Sequence, residues 1–381
     1  MSTSALSINL RSYDKEIKEF LGAVLIGSPG GIQYRVHRQK STNYGDENVH
    51  YLCLSKNLKL IGVVGLVDRT DITGKQWLYT RYLHIKGTQY YNRYNKNTAL
   101  GWDPFASYVQ RNRRGSDGGR DQRRSLLQQL LLQYLEEYAQ SITASRPLPA
   151  YAFVEDKNHQ SASLCKRFGF KKIQEIQTLL FHRFNPSFHA QICVIMPEKI
   201  NGMRDTLDQF YKVYDAYHTE GLSEQGYFLG YRVNGKFVAI ARIMRHWWDV
   251  ESLPEHYSFL RKWRIDRLPY LRQLIPGRIF HFISTDYFWF KQGYEKCLEQ
   301  IMEHAIAYEK VDTAMIWISK ESPHNKVLRE SISWGSLNWL WNSGSISLVK
   351  RMFLDNSQES VKKRIDHDKM GPIFINARDM T

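Results

Sequence analysis

The stretch "VEDKNHQSASLCKRFGFKKI" (residues 154–173) joins the end of one strand to the start of another through a short helix. The apolar run "PAYAFVED" leads into it and predicts a strand, and "NHQSASLCKRF" predicts a helix. Apolar alternation in "FGFKKIQEIQTLLFHRF" then predicts a strand pair. This order of elements is typical of a mixed α/β unit.

The sequence before this stretch predicts strands and helices in a regular order. A hairpin lies at its centre, with Lys56 to Lys59 at the turn. A polar, aromatic and basic connection follows over residues 89–120. The predicted elements are a strand "ALSINL", a helix "YDKEIKEFLGAV", the hairpin "VHYLCLSKNLKLIGVVGLVD", a strand "QWLYTRYLHIK" and a helix from about Gln122 to Gln140.

The second half of the chain repeats this order, which indicates two copies of one fold. Its hairpin, "GYFLGYRVNGKFVAIARIMR", has the tight-turn pair Asn234-Gly235. A strand, a long helix, a strand, a helix and a closing strand "SISLVKRMF" follow. We therefore predict an N-terminal domain over 1–188, a C-terminal domain over 189–355 and a charged tail over 356–381. The tail either lies on the surface or docks late.

Composition and charge indicate a folded chain that has an anionic partner. Hydrophobic residues make up 43% of the 381 residues, and the formal net charge is +15. Residues 1–190 hold 27 Lys and Arg against 15 Asp and Glu, and the remainder 26 against 23. The anionic partner is therefore expected at the first half. The four scattered cysteines predict reduced thiols, with no metal site. An apolar signal core and membrane-length apolar runs are missing, so we expect a cytoplasmic protein with no membrane insertion.

The stretch "RNRRGSDGGRDQRRSLLQQLLLQYLEEYAQ" (111–140) places arginines at the start of a leucine-rich helix. Cations at this positive helix end are unfavourable by roughly 0.3–1 kcal/mol each when exposed. Either the arginines lie on a solvated loop, or with the helix N–H groups they form a phosphate site. A nucleic-acid patch is a weaker third reading. The helix face that we expect in the core comprises Leu127, Leu130, Leu131, Tyr134 and Tyr138.

The motif in 154–173 resembles that of the GNAT (GCN5-related N-acetyltransferase) superfamily. Asn158, Ser161 and Leu164 match its helix, and Phe168-Gly169-Phe170 matches its return. The second half carries a weaker version with Asn325, Leu328 and Trp334-Gly335. The resemblance implies an α/β (α+β) fold of two tandem GNAT-like domains. Each would have a mixed, mostly antiparallel central sheet flanked by helices.

The resemblance also implies an acyl-CoA substrate, acetyl-CoA or another acyl-CoA. The phosphate loop of the family falls on Gln122 to Leu127, although Ser125 and Leu127 replace its small residues. Pantetheine would add beside the strand before that helix. The implied cofactor-binding residues are Leu83, His84, Ile85, Gln122, Arg123, Arg124, Ser125, Leu126, Leu127 and Asn158; the plain alternative for Asn158 is a helix cap.

The implied reaction is direct acyl transfer to an amine through a tetrahedral intermediate. The tyrosine that commonly protonates the thiolate is replaced by Cys165 in the first copy and Ile332 in the second. His84, Glu155 and Cys165 are the candidate catalytic residues. Each also has a plainer reading: a strand histidine, a solvent-facing carboxylate and a buried thiol.

Three functions stay open at this point. The first is an acyl-CoA-dependent N-acyltransferase whose acceptor is a small-molecule or peptide amine. The second is a tandem GNAT-like transferase that takes an aminoacyl group from tRNA, favoured by the basic first half. The third is a non-catalytic protein that binds CoA or nucleic acid. The sequence leaves the acceptor and the oligomeric state open.

Overall fold

Thirteen strands form one mixed sheet in the described part of the computed structural model. The structure describes residues 6–28, 31–36, 49–85, 132–141, 147–222, 226–253, 278–335, 346–353 and 370–380. The strands are β1 Leu6–Arg11, β2 Gln33–Val36, β3 Val49–Lys56, β4 Lys59–Thr70, β5 Gln76–Ile85, β6 Leu148–Glu155, β7 Lys171–His182, β8 Ile192–Ile195, β9 Tyr227–Val233, β10 Lys236–Ser252, β11 Ile279–Phe290, β12 Thr313–Ser319 and β13 Ile346–Phe353.

The described helices connect these strands and cover both faces of the sheet. They are α1 Lys15–Leu21, α2 residues 132–141, α3 His159–Arg167, α4 Pro197–Asn201, α5 Arg204–Tyr211, α6 Lys296–Glu309 and α7 Pro323–Ser331. Two 3₁₀ turns lie at Glu220–Leu222 and Ala377–Met380. No described helix has both the length and the apolar character that crossing a membrane requires.

The two halves of the chain build the sheet in the same way. In the first half β1, β3, β4 and β5 pair antiparallel in that order, and β6 then pairs parallel to β5. In the second half β8, β9, β10 and β11 pair antiparallel, and β12 pairs parallel to β11. The predicted fold class, with a mostly antiparallel sheet between helices, is therefore confirmed. The division near residue 188 stays a prediction.

The last strand of each half is exchanged with the other half. The strand order is β1-β3-β4-β5-β6-β13-β7-β12-β11-β10-β9-β8, and β2 pairs separately with β10. Thus β13 of the second half lies between β6 and β7, while β7 of the first half pairs with β12. Neither half can complete its own sheet in this arrangement.

The core has one layer on each face of this sheet. On the first, which we call the helical face, α2 and α3 pack on the first half, and α6 and α7 pack on the second. On the opposite face, which we call the junction face, one apolar cluster joins α1, both halves of the sheet and the end of the chain. A further cluster packs α4 and α5 beside it. The junction face is therefore shared by both halves.

Residues 370–380, called here the C-terminal segment, dock into the junction face. Ile373, Phe374 and Ile375 are buried there, as is Ala377. The Phe374 backbone N–H donates to the Asp215 carbonyl at 3.0 Å, which is one of the backbone hydrogen bonds that hold the segment in place. Of the two predictions for the tail, docking holds for this segment, and residues 356–369 lie outside the described residues. The apolar run Ile373 to Ile375 explains the burial.

The helix face predicted within α2 needs one correction. Leu135, Tyr138 and Ala139 are buried on the helical face, whereas Tyr134 is 37% exposed. The Tyr138 hydroxyl donates to Asp68 of β4 at 2.8 Å, and this contact sets the rotation of the helix. Leu127, Leu130 and Leu131 lie outside the described residues.

Candidate functional site

Strands β5 and β6 separate soon after they meet. They pair only at Leu78 with Ala150 and at Tyr79 with Tyr151. The Thr80 hydroxyl adds a hydrogen bond of 3.2 Å to the Tyr151 carbonyl. Beyond this point β5 runs on to Ile85 and β6 to Glu155. The region beyond these pairs, where the described part of β5 does not pair with β6, is called here the first opening.

A β-bulge lies in β5 at the edge of the first opening. Arg81 pairs with Gly65 of β4, and His84 pairs with Val63. The interval between the two pairs is therefore three residues on β5 but only two on β4. An extra residue of this kind bends a strand and redirects its backbone groups. The predicted binding residues Leu83, His84 and Ile85 are at or just after this bulge. The structure therefore places their backbone beside the first opening.

One row of β6 side chains points along the junction-face side of the first opening. Tyr151 and Phe153 belong to the junction-face cluster, and by alternation Glu155 follows them on the same face. Tyr79 of β5 stacks on Tyr151 with 5.1 Å between ring centres. The row thus leads from packed aromatic rings to a half-buried carboxylate at the end of the strand.

A serine from the first half holds this carboxylate. The Ser28 hydroxyl donates to Glu155 Oε2 at 2.6 Å, and Ser28 is only 3% exposed. The sequence analysis did not identify Ser28. Its signal is the turn-rich run "GSPGG" (27–31) between α1 and β2, which predicts a tight loop but gives no partner.

Two other predicted residues, Asn158 and Cys165, lie at the start of α3 and within it. The Asn158 side chain caps α3, because its Oδ1 accepts from the Ser161 N–H at 3.0 Å. Cys165 packs against the helical-face cluster, and burial raises the pKa of its thiol to about 11. Cys165 and Glu155 are therefore on opposite faces of the sheet, and the thiol stays protonated at neutral pH. The predicted phosphate residues Gln122 to Leu127 lie outside the described residues.

The second half has a matching gap between β11 and β12. These strands pair only at Ile283 with Ala314 and at Ser284 with Met315. The β11 strand carries the same bulge as β5, since Arg242 pairs with Asp286 but Ile240 pairs with Trp289. This second opening is thus the structural counterpart of the first.

The second opening is largely filled by the chain itself. A cavity of only about 20 Å³ remains between β11, β12, two tyrosines of the α5 region and residues 373–375 of the C-terminal segment. At the start of α6 the Gly293 N–H donates to the Glu295 carboxylate at 2.9 Å. A carboxylate already accepts at this helix end, and its charge would repel an anionic ligand there. The described part of the second opening is thus occupied by residues of the chain itself.

Comparison with known proteins finds likenesses in structure alone. No protein-family model matches the chain, and no curated protein matches it. A GCN5-related N-acetyltransferase from Sphaerobacter thermophilus aligns at 11% identity and a TM-score of 0.40, over 83% of this chain and 84% of that one.

Two further solved structures align over most of the chain. The Saccharomyces cerevisiae N-myristoyltransferase with bound myristoyl-CoA aligns at 8% identity and a TM-score of 0.45, over 90% of this chain and 78% of that one. A GCN5-related N-acetyltransferase from Anabaena variabilis aligns at 11% identity and a TM-score of 0.42, over 91% of this chain and 73% of that one. Since all three TM-scores lie below 0.5, the fold assignment is based on the strand order of this chain.

Proposed function

We propose that the chain is an acyl-CoA-dependent N-acyltransferase of the GNAT type, and that the first half binds the thioester. One observation carries this proposal: β5 and β6 stop pairing with each other after two residue pairs, and β5 has a bulge beyond the last of them. A free strand edge offers N–H and C=O groups that an extended ligand with amide groups can pair with. Pantetheine, with two amides in a linear chain, is such a ligand.

The pyrophosphate of CoA would lie at the helix start that the sequence predicts near Gln122. Arg123 and Arg124 precede the described part of this helix in the sequence. Backbone N–H groups and the helix dipole favour an anion at such an end, and guanidinium groups add charge-assisted hydrogen bonds. A bound pyrophosphate would explain why the sequence places arginines at the predicted start of a helix, where exposed cations are unfavourable.

The reaction needs a proton acceptor on the side where the amine enters. Glu155 fits this role, because its carboxylate ends the β6 row on the junction face. In the proposed mechanism the neutral amine attacks the thioester carbon, and its proton passes to Glu155 directly or through one water. A backbone N–H at the β5 bulge stabilises the oxyanion. The oxyanion then re-forms the C=O bond as the C–S bond breaks, and the leaving CoA thiolate takes up a proton from solvent.

The remaining candidates have different roles in this proposal. His84 contributes its backbone at the free edge, and we assign no proton transfer to it. Cys165 packs on the helical face, so we assign it to the core. The second half provides a wall on the junction face, since its own opening is occupied by residues 373–375. The acceptor is a small-molecule or peptide amine.

Ligand titration of the full chain tests this proposal. Acetyl-CoA, a long-chain acyl-CoA and tRNA are titrated separately at two salt concentrations. Acyl-CoA binding should slow amide exchange of residues 80–85 but not of 285–290. Arg123→Ala with Arg124→Ala should weaken acyl-CoA binding at least tenfold, because a hydrogen bond to a charged group contributes roughly 1.5–3 kcal/mol.

A matched control removes the same charge from the same basic segment. Arg111→Ala with Arg113→Ala should leave acyl-CoA affinity unchanged, because a phosphate seat is local whereas a diffuse field is not. If both double substitutions weakened acyl-CoA binding equally, a local phosphate site at Arg123 and Arg124 would be contradicted. tRNA binding that weakens with both pairs and loses salt dependence, without acyl-CoA binding, would instead favour the tRNA-dependent transferase.

A further inference from the structure

The loop that carries Ser28 has a tightly constrained backbone. Gly27, just before it, has a φ of +99°, a conformation that L side chains rarely adopt. A Cβ at this position would lie 2.0 Å from the Ile32 carbonyl oxygen. The backbone of Ile26 exchanges two hydrogen bonds with Tyr34, of 2.8 and 2.9 Å. Ser28 therefore sits in a closed turn between α1 and β2.

The second half of the chain anchors this turn. Strand β2 pairs with the far end of β10, where Val36 lies opposite Trp248 and Tyr34 opposite Val250. Tyr34 also stacks on Trp248, with 3.7 Å between ring centres and planes 12° apart. Arg35 and Glu251 form an ion pair across the same strands. A segment of the first half is thus held by the sheet of the second.

We propose that Ser28 is a positioning residue for Glu155, and that the second half keeps it in place through β2. The inference rests on the proposed role of Glu155 as proton acceptor. The Ser28 hydroxyl occupies Oε2, which fixes the rotation of the carboxylate and leaves Oε1 to accept the proton of the amine. A carboxylate at the end of a strand would otherwise sample several rotamers. The second half, whose own opening is filled, thereby acts in catalysis through β10 and β2.

Two substitutions at position 28 test the first part of the inference. The assay follows CoA thiol release from acetyl-CoA with a panel of primary amines, together with acetyl-CoA binding by calorimetry. Ser28→Ala should lower kcat roughly tenfold, equivalent to about 1.4 kcal/mol, and leave KM for acetyl-CoA unchanged. Ser28→Thr retains the hydroxyl and should restore most of kcat. Glu155→Gln should remove the activity that remains in Ser28→Ala.

Ser347→Ala is the matched control for Ser28→Ala. Ser347 donates to the carboxylate of Asp156, the residue next to Glu155, and is itself buried. The control removes a bond of the same kind at the same end of β6, and kcat should not change. An equal loss of kcat in both alanine variants, or no rescue by Ser28→Thr, would overturn the positioning role.

A double-mutant cycle tests the link to the second half. Trp248→Leu removes the stack on Tyr34 and should lower kcat, but it should have no further effect in the protein that already carries Ser28→Ala. Glu251→Lys loosens the same strand pair from the surface and serves where Trp248→Leu does not fold. Equal effects in both backgrounds would overturn the anchoring role.

The outcomes separate this inference from the proposed function. A wild-type protein that neither binds acetyl-CoA nor releases thiol overturns both. Wild-type turnover that Ser28→Ala leaves unchanged overturns the inference alone. Turnover that falls in Ser28→Ala and returns in Ser28→Thr, with unchanged acetyl-CoA binding, supports it.

Discussion

Two tight pairs of charged side chains are buried on the junction face. Arg69 of β4 makes two hydrogen bonds of 2.6 Å to Asp379 and one of 2.8 Å to the Tyr151 hydroxyl. Arg242 of β10 bonds both carboxylate oxygens of Asp286, at 2.7 and 2.6 Å. Two-point bonding satisfies both groups of each pair, which a buried charge requires. One pair lies in each half of the sheet.

His218 is buried between these two pairs, and it should make stability depend on pH. Burial, followed by the charges of Arg69 and Arg242, holds the pKa of His218 well below its usual 6.5. Between the lowered pKa of folded His218 and its usual pKa of 6.5, the histidine binds a proton in the unfolded chain but not in the folded one. Stability is therefore lost as pH falls below about 6.5. His218→Leu should reduce the loss between pH 6.5 and 5.5 by about 1 kcal/mol. Urea unfolding at a series of pH values measures it.

Phe374→Leu is the control for that measurement. Phe374 packs beside His218, with 5.9 Å between ring centres, and carries no titrating group. It should lower stability by the same amount at every pH, since only packing changes. A pH slope in His218→Leu that equals the wild-type slope would show that other groups cause the dependence.

Gly27 should be far less replaceable than Gly74, although both have a positive φ. The values are +99° and +83°, and an added Cβ at Gly74 meets nothing within 4 Å. Gly74→Ala should therefore cost only the backbone strain, about 1 kcal/mol. Gly27→Ala adds a backbone clash and should cost roughly 2–4 kcal/mol in unfolding free energy. Similar costs in chemical denaturation would argue against the tight turn before Ser28.

At the scale of elements, local patterns predicted the strands well but not their partners. The hairpin turn at Asn234-Gly235 forms as predicted, with φ values of +49° and +77°. Strand β2 escaped prediction because it is four residues long and pairs with β10, more than 200 positions away. For the same reason no local pattern revealed that β7 and β13 exchange. The apolar run "IFI" (373–375) could have predicted that the C-terminal segment is buried, but the charged residues around it favoured a surface tail.

The candidate site, like the fold, could be predicted where it depends on neighbouring residues but not where it depends on distant ones. The local pattern in 154–173 predicted the end of β6 and the helix α3, and the plain alternative for Asn158, a helix cap, is the contact that the structure shows, because these features depend on nearby residues. The Ser28–Glu155 bond joins positions 127 apart, and neither residue type is distinctive alone. The contact of residues 373–375 with the second opening had no local signal in the sequence either. That contact depends on the tertiary fold.

Docking of the C-terminal segment should depend on Asp379. Asp379→Asn leaves Arg69 charged and buried without its carboxylate, and breaking such a pair costs about 3–5 kcal/mol. The Glu251 side chain, in its pair with Arg35, is 41% exposed, so Glu251→Gln should cost at most about 1 kcal/mol. Chemical denaturation of both variants gives the comparison. Equal costs would mean that the Arg69–Asp379 pair adds no more than a surface pair.

At the scale of the whole molecule, the exchanged strands make the halves interdependent. β13 pairs with β6 along its whole length, from Ile346 with Glu155 to Phe353 with Leu148. It also pairs with β7 on its other edge. Without β13 the strands β6 and β7 of the first half have no described pairing with each other. A first half on its own would expose two strand edges and the apolar faces between them.

Residues 1–188 should therefore not fold alone, although the sequence repeat suggests an independent domain. Its missing strand comes from residues 346–353, and a gap in a sheet interior leaves backbone groups unpaired. Coexpression of 1–188 with 189–381 should restore a folded complex, because the second fragment supplies β13 and receives β7. A matched second fragment that ends at residue 345 lacks β13 and should fail to restore it. Circular dichroism and cooperative urea unfolding of each fragment and each mixture give the readout. Cooperative unfolding of 1–188 by itself would show that β6 and β7 can pair directly and that the exchange is not required for folding.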